Sequence, residues 1–193
     1  MPSSTITRSQ AKVQRREALL LAAARLFAER GYSGVSIEEL GAAAGVSGPA
    51  VYKHFPSKQA VLGALLLDAS EGLFDGGENV VATEHGIDAL GSLVRFHTSF
   101  ALDNPDVIRV QDRDLDQLAD PDRHTVRTLQ RRYVELWVEV LAELKPDADP
   151  AVLRTRAHAV FGLLNSTPHS GLGLSSTVLR EELERIALAA LLA

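Results

Sequence analysis

The stretch Ser36–Phe55 reads S-I-E-E-L-G-A-A-A-G-V-S-G-P-A-V-Y-K-H-F, and the groups it can offer a partner are hydrogen-bond donors. Tyr52 and His54, with Lys58 just beyond, carry donors suited to phosphate oxygens, contacts that position a protein on a duplex without reading its sequence. Ala50, Lys53 and His54 face outward, and Tyr52 partly so. Gly48 and Ala50 let the backbone come close to a groove, and Pro49 or Ala50 could touch a thymine methyl. Two short helices joined by a tight turn would hold these groups. Ser36 is an N-cap, and Glu39, three residues on, reaches back to complete a capping box. Ile37, Leu40 and Ala44 share a helical face, and Gly45 stands where a left-handed residue ends a helix. Ser47 caps the second helix with Pro49 in its first turn, and Val46, Val51 and Phe55 point inward. A reading helix of this kind puts its first residues against base edges while its partner crosses the backbone. The alternative is a structural hairpin buried in a small-molecule-binding or enzymatic helical protein. The outer face lacks the apolar residues that burial would need.

Gly31–Leu62 resembles the DNA-binding signature of the tetracycline-repressor (TetR) family. The matching features are Gly31, Tyr32, the Ser36-Ile37 start, Ala43, the Gly45-Val46-Ser47 turn, Tyr52, His54-Phe55, Ser57-Lys58 and Leu62. The match covers about the first third of the chain; the rest agrees only in length and helical character. Gly41 stands where the family usually has Ala, and Gln59 where it usually has an acid. The resemblance implies a ligand-responsive, dimeric repressor on palindromic double-stranded DNA, without enzymatic activity, cofactor or catalytic residues.

Charge agrees with such a head. The chain of 193 residues has net charge −5, yet residues 1–60 hold eight Lys/Arg against four acids, leaving twelve against twenty-one in residues 61–193. A basic module on an acidic body draws one end to phosphate and keeps the other off it. There is no cysteine, so disulfides and thiolate chemistry are excluded. No apolar run is long enough to span a bilayer, and Met1–Gln10 is a polar tail without the apolar core of a signal peptide; a cytoplasmic protein with no membrane partner is expected. Arg8, Lys12, Arg15 and Arg16 could lie along a phosphate backbone or reach a minor groove.

The spacing of apolar residues predicts an all-α fold: a helix-turn-helix domain over residues 1–60 and a helical effector-binding and dimerisation domain over 61–193. Gln10–Arg30 is an amphipathic scaffold stopped by Gly31. Ser57–Asp75 runs from the reader into the body, ends at Gly76-Gly77 and is expected to couple the two. Helices follow over Glu84–Leu102, Pro105–Leu118, Asp122–Leu144, Pro150–Ser166 and Ser175–Leu192, with a glycine-rich loop at His169–Leu174.

In the body, the resemblance implies an apolar effector pocket. Leu66, Phe96, Phe100, Tyr133, Trp137, Phe161, Leu164 and Asn165 are its candidate lining, with His97 and His169 as polar anchors; ordinary core packing is the alternative for each. An acyl-CoA-like effector is one option, provided Arg127, Arg131 and Arg132 turn toward its phosphates. Leu179, Leu183, Ile186 and Ala190 form a narrow seam on the last helix, and Val152, Ala159 and Leu163, among Ala151, Ala157 and Gly162, allow close approach on the helix before it. Both suit a twofold interface, or else the chain's own core. Catalytic and metal readings fail: Asp112–Asp116 lacks the glycine and distal glutamate of a calcium loop, and its interleaved arginines suggest a solvated face. Gly171-Leu172-Gly173 lacks a third glycine, the six histidines contain no His-x-x-x-His pair, and no serine sits in a nucleophile elbow.

Overall fold

A computed structural model describes residues 8–170 and 173–193. Every regular element among them is helical. The first is α1 (Arg8–Arg30), which ends at Gly31 with φ +79°, followed by α2 (Ile37–Ala43) and α3 (Gly48–Val51). Then come α4 (Lys58–Val81), α5 (Gly86–Asp103), α6 (Pro105–Asp114) with a 3₁₀ turn (Leu115–Gln117), and α7 (Asp120–Leu144). The chain closes with α8 (Pro150–Leu164), the single turn α9 (Thr167–Ser170) and α10 (Ser176–Leu192). Arg8–Gln10, expected in the tail, belong to α1, while the rest of that tail and residues 171–172 of the glycine-rich loop lie outside the described residues.

Two apolar cores fill the molecule. The first joins Leu19, Phe27, Leu40, Val51 and Phe55 of the head to Leu62 and Leu66 of α4, and also takes in Val107, Val110, Leu118 and Val126 from the body. The second packs Leu90, Leu93, Trp137, Leu141, Leu153, Leu164 and Leu191 between α5, α7, α8 and α10.

The long helix α4 belongs to both. Its 24 residues run on to Val81 through Gly76 and Gly77, where the sequence had predicted a stop. The two glycines are contact points: a Cβ on Gly76 would enter the Phe96 ring, and one on Gly77 would lie 2.7 Å from Tyr133 Cε2. A helix interior tolerates glycine when the neighbour it admits offsets the roughly 1 kcal/mol of lost propensity.

Candidate nucleic-acid interface

The helix-turn-helix forms as its residues dictate. Ser36 Oγ accepts from the Glu39 N–H at 3.2 Å, while Glu39 Oε2 accepts from the Ser36 N–H at 2.8 Å. The Ser36 N–H, Arg30 donating to Glu39 Oε1 at 2.7 Å and the Ser36 hydroxyl donating to Oε2 at 2.9 Å hold the Glu39 carboxyl well below its usual value, at about 2. Gly45 adopts φ +70°, which ends α2 and turns the chain. The Val46 N–H then donates back to the Gly41 carbonyl at 2.8 Å. Gly41 is a requirement of this turn, because a Cβ there would meet Val46 O at 2.9 Å and Val51 Cγ2 at 3.1 Å. The departure from alanine that would weaken an isolated helix lets α3 close on α2.

Only Gly48–Val51 is helical in the reader, with Tyr52, Lys53 and His54 continuing as turns. Val51 and Phe55 are buried and anchor it from behind. Ser47 occupies the N-cap, yet its hydroxyl makes no capping bond and stands exposed beside Pro49. Ser36, by contrast, is committed to its cap. Gly48 and Ala50 are half-buried, Lys53 is exposed, and Tyr52 is 54% exposed. His54 is half-buried, and its imidazole is pushed below its ordinary value first by burial, then by the charges of Lys12, Arg15 and Lys53. Those four groups from α1 and the reader therefore share one basic surface. A phosphate placed on it would relieve their repulsion.

Two expected phosphate donors serve the joint instead. Lys58 Nζ lies 4.3 Å from the Tyr32 ring centroid and donates to the carbonyls of Tyr32 at 2.9 Å and Val35 at 2.8 Å. It staples the loop between α1 and α2 to the start of α4, because those carbonyls have no intrahelical partner. Arg16 grips Asp68 of α4 through two bonds, at 2.7 and 3.1 Å.

The joint has a second clasp. The predicted solvated face at Asp112–Asp116 is partly turned inward: Asp114 is 6% exposed and accepts the Tyr32 N–H at 3.2 Å. Arg113 pairs with Asp114 and donates to the carbonyls of Phe27 and Ala28, closing the last turn of α1. Nothing in a D-R-D-L-D string marks which charges turn inward. Beside the clasp, Leu20, Leu21, Ala24, Leu65, Phe100 and Val107 line a largely apolar cleft of about 460 Å³ between α1, α4, α5 and α6.

In the body the predicted lining residues divide. His97, Tyr133, Trp137 and Phe161 pack ring against ring, with centroids 4.9 to 6.1 Å apart, so their own rings fill the pocket expected there. His97 lies within 3.3 Å of the Tyr133 hydroxyl through Nδ1 and 3.1 Å of Asn165 Oδ1 through Nε2. Burial pushes its imidazole down to about 4, opposed by the Asn165 bond, and pushes the Tyr133 phenol up. The Trp137 N–H points toward that phenol without making a hydrogen bond. Phe96 packs on Gly76, Leu66 and Leu164 are core, Phe100 faces the joint cleft, and His169 stands exposed beside Asp112 and Arg113.

The predicted seam on α10 is likewise split. Leu183, 7% exposed, belongs to the chain's own core with Ala187 and Leu191, because the inward stripe repeats every four residues. Leu163 and Leu179 are half-buried against the same core. Val152, Ala159, Ile186 and Ala190 remain exposed, and a Cβ on Gly162 would meet open space. No group of side chains among the described residues could hold a metal ion, and no helix there is long and apolar enough to cross a membrane.

Comparison with known proteins agrees with this geometry. Residues 19–65 match the model of bacterial regulatory proteins of the tetR family, and residues 83–169 match a tetracyclin repressor-like C-terminal domain. The chain is 31% identical over 134 residues to the HTH-type transcriptional repressor KstR2 of Rhodococcus jostii, covering 67% of this chain and 65% of that protein. It is 30% identical over 146 residues to KstR2 of Mycolicibacterium smegmatis, covering 70% of each. It thus spans about two thirds of the length of these curated relatives. A TetR-family regulator from Bordetella parapertussis superposes with TM-score 0.79 at 24% identity, over 90% of this chain and 93% of that one. FadR from Bacillus subtilis, solved with stearoyl-CoA, does so with TM-score 0.71 at 16% identity, over 90% and 98%. On these matches the chain belongs to the TetR family and is a helix-turn-helix transcriptional regulator.

Proposed function

We propose that the protein is a dimeric repressor that binds a palindromic operator through Ser47, Gly48, Pro49, Ala50, Tyr52, Lys53 and His54 and leaves it when an acyl-thioester effector occupies the body. The observation that carries the DNA-binding part is the basic surface where Lys12, Arg15, Lys53 and His54 converge around an exposed reading turn. Each short reader makes few base contacts. Two readers about one helical turn apart, roughly 34–36 Å, bind tightly enough to be useful. Val152, Ala159, Ile186 and Ala190 are the exposed small and apolar residues available for pairing.

The effector reading draws on the ring cluster between α5, α7 and α8. Trp137 is a buried donor without an acceptor, a deficit of about 1–3 kcal/mol that an acyl carbonyl would remove. The stearoyl-CoA complex of FadR supports the same class. An acyl chain entering the rings would press Tyr133 and Phe96 against Gly77 and Gly76 of α4. The helix is 24 residues long, about 36 Å at 1.5 Å per residue, and its other end carries Lys58 and the head loop. The size of the switch is the difference in ligand affinity between its two states.

A gel shift with DNA from upstream of the gene tests both parts. Retained affinity at moderate salt, lost on adding octanoyl-CoA, is the expected result. Failure to bind any duplex would overturn the regulator reading, and binding indifferent to the thioester would overturn the effector.

A further inference from the structure

The lower half of α7 concentrates cations in an otherwise acidic body. Arg123, Arg127, Arg131 and Arg132 fall between Asp122 and Glu135 with no acid among them. Arg123, Arg127 and Arg131 repeat every four residues, a like-charge stacking that destabilises a helix. Arg127 and Arg131 line a cleft of about 400 Å³ between α7 and α8, where Arg154 and His158 face them from the other side. Glu135 is the one acid lining it and is already held by Arg154 through bonds of 2.9 and 2.7 Å. Arg127 reaches Asp116 at 3.2 Å, and Arg131 donates to the Thr128 hydroxyl at 3.0 Å. Gln130, between them, buries its amide nitrogen against this cleft without a hydrogen-bond partner.

Among the described residues, the two buried side-chain nitrogens and oxygens that lack a partner are Gln130 Nε2 and Trp137 Nε1. They stand seven residues apart on α7, two turns along one face. On α8, His158 of the cleft stands three residues before Phe161 of the ring cluster, so the cleft and the rings share both helices.

We propose that the α7–α8 cleft binds the phosphate-bearing end of a coenzyme A thioester, with Arg131, Arg127 and Gln130 donating from α7 and Arg154 and His158 from α8. The assignment rests on the acyl-thioester reading above and places the ligand's polar end where that reading left it open. Charge-assisted bonds to phosphate are the strong ones, and here they would also relieve the repulsion between the stacked arginines. Glu135 remains the single opposing charge, and its pairing with Arg154 limits its effect.

Calorimetric titration of the full chain with octanoyl-CoA and, separately, inorganic pyrophosphate tests the site in the native protein, in Arg131→Ala and in Gln130→Met. Both residues lie at the cleft and not in the core, and an unchanged unfolding temperature checks that each variant is folded. The expected result is octanoyl-CoA binding weakened at least tenfold in R131A and several-fold in Q130M. Native-like octanoyl-CoA affinity in both variants would overturn the cleft and leave the effector reading standing. Pyrophosphate binding that depends on Arg131, without thioester binding, would support the cleft as a polyphosphate site and overturn the effector reading. Binding of neither probe would overturn both.

Discussion

Lys53 and Lys58 carry the same charge and have unlike surroundings. Lys53 is exposed on the basic face, while Lys58 is spent on two loop carbonyls and the face of Tyr32. Lys53→Ala is therefore expected to weaken operator binding and to lower the slope of log affinity against log salt by about one. Lys58→Ala should leave that slope unchanged and destabilise the fold by about 2 kcal/mol, read by urea unfolding beside anisotropy titrations at several salt concentrations. His97 gives a second residue-scale expectation. Its ring is neutral in the fold because burial holds its value at about 4, against an ordinary 6.5. The unfolded chain takes up the proton first, so this stability is complete above about pH 6.5 and falls by roughly 3 kcal/mol as pH drops toward 4. Urea unfolding at pH 7 and pH 5 should show part of that loss, and His97→Gln should show less of it.

At the scale of the element, α4 offers glycines with opposite demands. Gly72 has open space where a Cβ would go, whereas Gly76 and Gly77 are filled by Phe96 and Tyr133. Gly72→Ala should stabilise the protein by about 1 kcal/mol through helix propensity. Gly76→Ala and Gly77→Ala should destabilise it by about 1–3 kcal/mol through overpacking, and denaturant midpoints moving in opposite directions would show it. The same glycines mark where sequence reading stops. Capping boxes, prolines and apolar periodicity made nearly every helix legible, because those signals are local. Gly76-Gly77 looks like a terminus locally and is a packing site only when α5 and α7 arrive. The inward bonds of Lys58 and Asp114 were hidden for the same reason: a charged side chain looks solvent-bound until a distant carbonyl or N–H needs it. The outward reader was legible because its exposure follows from where its few apolar residues must point.

At the scale of the molecule, the exposed side of α8 and α10 is the face proposed for pairing. Ile186 is 39% exposed, so Ile186→Glu should leave the monomer folded. It should shift sedimentation from dimer to monomer and lower affinity for a palindrome by at least a hundredfold; a variant that still sediments as a dimer would place the interface elsewhere. Leu183→Glu, directed into the core, should instead unfold the chain.

The first apolar core takes Val107, Val110, Leu118 and Val126 from beyond residue 100, and the end of α1 is closed by Arg113 and Asp114. The reader is thus an incomplete object by itself. Cut free at residue 60, it would expose the seats of those four side chains and leave the Tyr32 N–H unanswered. A transplant of its specificity onto another regulator would have to exchange the surface turn alone, or carry the sixth helix with it.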